Sequence, residues 1–135
     1  MSVFDSTSIP ILQEVISFAQ ARHEILVGNV ANLDTPGYQV RDLSVDTFQE
    51  RLQEAIDARQ EIREPLSPGH ISGQRDREMH EVRDSMKTIL YHDGSDVGIE
   101  QQVLEISKNQ YMHNMAISIM TSQFRMLQTA ISERV

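Results

Sequence analysis

The chain has 135 residues and a formal net charge of −8, with 24% charged and 39% hydrophobic side chains, no Cys and no Trp. That acidic balance excludes the basic surface on which nucleic-acid phosphates bind and disfavours an anionic membrane face. The lack of Cys excludes disulfides and thiolate metal sites, and no stretch approaches the roughly 18 apolar residues of a membrane span.

The N-terminal run MSVFDSTSIPILQEVISFAQ has no basic start, and Asp5, Pro10 and Glu14 interrupt it, so no secretory signal is expected. From Ile9 the pattern becomes periodic. Leu12, Ile16, Ala19, His23, Leu26, Val30 and Leu33 alternate at spacings of four and three, the signature of a heptad helix. Ser8 is the candidate N-cap and Pro10 suits an early helical position. Pro36 forces the helix to end by Thr35, since the residue before a proline is pushed out of the α region.

Asp34-Thr35-Pro36-Gly37-Tyr38 follows, with the Pro-Gly chemistry of a type II turn. An extended piece is expected over 38–45. A short helix is then expected near 46–59, with Asp46 as cap, Gln49 in capping-box position, and Phe48, Leu52, Ala55 and Ile56 on one face. Residues 60–98 are polar and broken by Pro65, Pro68, Gly69, Gly73 and Gly94. A flexible loop is expected there, with room for short strands around 70–71 or a helical turn over 78–91.

The last segment has the strongest pattern. Ile99, Val103, Ile106, Gln110, His113, Ile117, Met120, Phe124, Leu127 and Ile131 alternate at four and three, with Asp96 as candidate cap. A helix over 99–131 would be about 50 Å long. Leu104, Tyr111, Met115, Ile119, Met126 and Ala130 add a second apolar flank. Pairing the terminal helices would cover the main stripes and leave the flank wet. An uncovered apolar strip of that length marks an interaction surface. Leu12, Ile16, Leu26, Val30, Ile99, Val103, Ile106, Ile117, Met120, Phe124, Leu127 and Ile131 are therefore the candidate assembly residues. The expected fold is mainly α: long N- and C-terminal helices packed as a coiled-coil-like pair, around a short irregular middle with a small β element and a short helix. The divisions are 1–35, 36–98 and 99–135.

Catalytic and metal chemistry find little support. His70, His80 and His92, with Asp76 and Asp93, have no zinc-helix spacing and read as surface side chains. His23 and His113 fall at core-phase positions, as hydrogen-bonded or register-setting residues. No phosphate-binding glycine loop and no nucleophile elbow is present. No enzyme activity, metal or cofactor is expected.

The run Gly28-Asn29-Val30-Ala31-Asn32-Leu33-Asp34-Thr35-Pro36-Gly37-Tyr38 resembles the signature of flagellar rod, hook and hook-associated proteins, in which an N-terminal helix ends in Ala-Asn-x-x-Thr-Pro-Gly-Tyr. Gln39-Val40-Arg41-Asp42, the Phe48–Ile56 stretch, and Asp93 to Glu100 leading into a long helix with Asn109 and Tyr111 are similar to the short proximal-rod members. Ser95 and Gly98 depart from the usual family residues, Asn and an acidic side chain. The resemblance implies a structural subunit of the periplasmic rod of the basal body. Such a subunit is exported by the flagellar type III apparatus without a cleaved signal, and its terminal helices pack as a torque-bearing tube around the export channel. Implied partners are other copies, other rod proteins, and the adaptor at the rod base with the membrane-ring and export apparatus. Within the motif, Asn29 and Asn32 are expected to bond backbone where the helix stops. Thr35, Pro36 and Gly37 are expected to make the reversal, and Tyr38 to pack on the helix. A neighbouring rod protein of the same family and a cytoplasmic coiled-coil adaptor are the alternatives.

Overall fold

The computed structural model describes residues 7–61, 90–93 and 98–133. Among the described residues, three helices and a two-stranded ribbon follow in the order α1 (Ile9–Ala31), β1 (Val40–Leu43), α2 (Val45–Glu61), β2 (Leu90–Asp93) and α3 (Ile99–Ser132). The expectations for 70–71, for a helical turn through most of 78–91, for a flexible loop and for the Asp96 cap lie outside the described residues, as do His70, His80 and Asp76.

Helix α1 starts as its sequence requires. Pro10 occupies the first turn, where the missing N–H costs nothing, and the Leu12 N–H donates to the Ser8 carbonyl at 3.0 Å. Ser8 holds the N-cap position, but its hydroxyl makes no cap bond. At the other end the Asn32 N–H returns to Gly28 and Asn29 carbonyls, and the Asn32 side-chain amide donates to the Gly28 carbonyl at 2.8 Å. The chain then reverses through Thr35–Tyr38. The Tyr38 N–H donates to the Thr35 carbonyl at 3.1 Å and Gly37 has φ +77°, as a type II turn demands at its third position.

The turn delivers the chain into β1, which pairs antiparallel with β2 in the register Val40 to Asp93 and Leu43 to Leu90. Helix α2 is capped by Ser44 rather than Asp46: the Ser44 hydroxyl accepts the Thr47 N–H at 3.2 Å. Asp46 lies in the first turn, where a carboxylate still favours the helix dipole. Phe48, Leu52, Ala55 and Ile56 form the inward face, with Phe48 and Ala55 buried.

That face builds the apolar core. Phe18 of α1 is fully buried and stacks on Phe48 with ring centroids 4.0 Å apart and planes 10° from parallel. Leu43 and Ala55 complete the buried cluster, with Ile11, Val15, Ile25, Leu52 and Met112 packed around it. The core thus lies chiefly between α1, β1 and α2. The same stripe of α1 also meets α3, and Asn29–Gln102, Ala19–Asn109 and Ser8–Gln123 contacts show that the two run antiparallel.

Candidate assembly interface

The contact between α1 and α3 is polar. Along α3 the residues turned to α1 are Gln102, Asn109 and Ala116, all buried, with Gln123 half-buried one heptad further. Each amide bonds α1 or its cap. Asn109 Nδ2 donates to the Ala19 carbonyl at 2.7 Å, and the Gln123 side chain donates to the Ser8 hydroxyl. Gln102 accepts from Asn29 Nδ2 at 3.1 Å.

Asn29 is the hub of this seam. It has no exposed surface. Its Nδ2 also donates to the Arg41 carbonyl, while its Oδ1 accepts the Arg41 N–H and the Tyr38 hydroxyl, each at 3.1 Å. One side chain therefore ties the end of α1 to the turn, to β1 and to α3. The sequence places Asn29 at the helix end bonding backbone; its reach to Gln102 and Tyr38 has no local signal.

About two turns before Asn29 lies a second tie. The buried Arg22 guanidinium makes a two-pronged pair with Asp42, at 2.8 and 2.7 Å, and a further bond to Glu105 at 2.8 Å. Burial opposes the charge on Arg22, but the bonds and attraction from Asp42 and Glu105 outweigh it and raise its pKa. Glu105 is held below the usual carboxylate range, first by its bond from Lys108 and then, against burial, by Arg22. The planar fork of arginine suits this geometry, which an ammonium cannot copy.

The apolar residues of α3 fall elsewhere. Of its candidate assembly residues, Ile106, Met120 and Leu127 are half-buried, whereas Ile99, Val103, Ile117, Phe124 and Ile131 are exposed. The flank is exposed too, with Tyr111 at 72% and Met126 at 68%. The expectation that helix pairing would cover the main stripe of α3 is therefore corrected. The pairing seam keeps the heptad period, but at alternate positions it uses the preceding residue: 102 for 103, 109 for 110, 116 for 117, 123 for 124. The reason is that α1 and its cap present Asn29, the Ala19 carbonyl and the Ser8 hydroxyl there, which bond amides and cannot bond Ile or Val. On α1, Leu26 is buried, and Leu12, Ile16 and Val30 are half-buried.

The core-phase reading of His23 is corrected as well: His23 is exposed, and His113 is half-buried. Both line an open groove of about 510 Å³ between α1 and α3, together with Ala19, Gln20, Glu24, Asn109, Gln110 and Asn114. Among the described residues no group of three His, Asp or Glu side chains can hold a metal ion, and no helix is long and apolar enough to cross a membrane.

No protein-family model matches the chain. Curated proteins do. The flagellar basal body rod protein FlgB of Bacillus subtilis is 24% identical over 132 residues, covering 98% of each chain. FlgB of Salmonella typhimurium is 28% identical over 124 residues, covering 84% of each. FlgB of Proteus mirabilis is 55% identical over a 31-residue segment, 23% of each chain.

Proposed function

We propose that this chain, a relative of the flagellar basal body rod protein family along nearly its whole length, is a structural subunit of the proximal rod that assembles through its terminal segments, 1–35 and 99–135. In this reading the apolar band of α3 packs against neighbouring copies and neighbouring rod proteins, and the stacked helices form a tube around the export channel. The middle region, 36–98, lies outside and braces each subunit through the Arg22–Asp42 and Asn29–Arg41 ties. The rod stands in the periplasm on an adaptor at its base, receives its subunits by the flagellar type III route without a cleaved signal, and transmits torque. Its work is mechanical, with no catalytic step.

One observation carries the reading: α3 spends its polar and small residues on α1 and leaves Ile99, Val103, Leu104, Tyr111, Met115, Ile117, Ile119 and Met126 exposed. A helix designed to end its packing inside the monomer would invert that choice. Burying a Leu, Ile or Phe completely is worth about 1.5–3 kcal/mol, so several half-exposed ones hold back a large part of the available stabilisation for other surfaces.

The test is Ile117→Asp. Ile117 is 41% exposed, so the isolated variant keeps its helix content, whereas a charge in the packed band blocks assembly. Cells carrying it express the protein and are non-motile. Normal motility in that strain sinks the reading.

A further inference from the structure

The groove between α1 and α3 contains one unmet need. Asn109 is buried, and its Nδ2 is committed to the Ala19 carbonyl, which fixes the orientation of the amide. Its Oδ1 is buried with no hydrogen-bond partner. A buried acceptor left in that state costs about 1–3 kcal/mol. Around it lie the Glu24 carboxylate, the amides of Gln20, Gln110 and Asn114, and His23 and His113. Glu24 pairs with no cation among the described residues. The groove is open and polar and holds one carboxylate and one unmet acceptor, so an occupant with donors and a positive charge suits it. A guanidinium fits that demand best, having five donors and no acceptor.

The chain holds such a group in a matching setting. Gln123 bonds Ser8, just ahead of α1, so α3 from residue 124 onward runs past the start of α1. On this overhang Arg125 is exposed and pairs with no carboxylate among the described residues, and Met126 and Ile131 beside it are exposed. Arg125 cannot serve its own groove. Residues 109–114 lie 11–16 positions back along the same straight helix, or about 16–24 Å, well beyond the reach of an arginine side chain.

Resting on the rod reading above, we infer that the α3 overhang of one copy docks across the α1–α3 groove of a second copy, with Arg125 entering the groove toward Glu24 and the Asn109 acceptor. Donor and acceptor lie on different parts of the molecule, so the contact is head-to-tail. Such a contact does not close on itself as a two-fold dimer does; it propagates into rings or helical arrays. The apolar side chains flanking Arg125 bring grease to the same joint, and its charge gives the joint polarity and partner choice.

The test is a charge exchange on the full-length chain, followed by sedimentation at low salt. Glu24→Arg and Arg125→Glu are both surface changes that leave the circular dichroism of the monomer unaltered. Each weakens self-association at least tenfold, and the double variant recovers to within threefold of the parent. Single variants that associate normally, or a double variant no better than either single, overturn the contact. Because the chain has no Cys, a mixture of Gln20→Cys and Gln128→Cys chains reports the geometry directly: oxidation yields mixed dimers, and their absence under associating conditions overturns it. A parent chain that stays monomeric at every concentration overturns it too. The motility of the Ile117→Asp strain judges the rod reading separately, so either can fail without the other.

Discussion

Asn29 and Asn32 stand three residues apart at the end of one helix and do different amounts of work. Asn32 returns one bond to the Gly28 carbonyl, at a half-exposed site where water can replace it. Asn29 satisfies four groups on three elements from a position with no solvent contact. Asn32→Ala is expected to cost about 0.5–1 kcal/mol and Asn29→Ala about 3 kcal/mol, since the latter leaves buried donors and acceptors unpaired. Urea denaturation of the two variants measures the difference. Equal costs would show that Asn29 is not the hub. Gly37 is a third test at this scale. Its φ of +77° has open space around it, so Gly37→Val fails from backbone strain and not from a clash. A lowered melting temperature is expected for Val, and a smaller drop for Asn, which tolerates that region better.

Among the elements, the decisive relation is between α1, β1 and α3, joined at Arg22. Arg22→Met is expected to destabilise the fold by about 2–4 kcal/mol, because Asp42 and Glu105 then face each other without their shared cation. The acid side of the stability curve carries the same signature. Glu105 titrates below the usual carboxylate range when folded, so its contribution is fully present above that range and is lost as pH falls through its lowered folded pKa. A Glu105→Gln variant, compared with the parent by thermal melting from pH 7 downward, should show a shallower acid loss. The same elements explain how far the sequence could be read. Spacing of four and three located both long helices, and Pro36-Gly37 located the turn, because these rules are local. The phase of α3 was not legible. It is set by what α1 offers across the seam: Asn29, the Ala19 carbonyl and the Ser8 hydroxyl select amides, and Arg22 selects Glu105, over branched aliphatics. A signal was present in Gln102, Asn109, Ala116 and Gln123, a heptad of small and amide residues, but apolarity outweighs it in any reading that assumes grease faces inward. The Ser44 cap was passed over for Asp46 by two positions, and the Phe18–Phe48 stack joins elements too distant for periodicity to relate.

At the scale of the molecule, the described residues form a modest apolar core under α2 and a long helix pair held by amides and an ion cluster, with a long apolar band of α3 facing outward. Such a monomer is expected to resist denaturant weakly and to bind apolar dyes while folded. Both properties are expected to change together on assembly: dye fluorescence falls and thermal resistance rises as the band of α3 is covered. A monomer that excludes the dye would mean that the band has found cover within its own chain.

The bond between Gln123 and Ser8 joins positions 115 residues apart. Contacts of that span come late in folding, because a long stretch of chain must be closed before they return anything. A ribosome must therefore make the chain well past Gln102 and Glu105 before the first helix can meet its antiparallel mate. Until then Arg22 and Asn29 have no Glu105 or Gln102 to bond, and the helix pair cannot close.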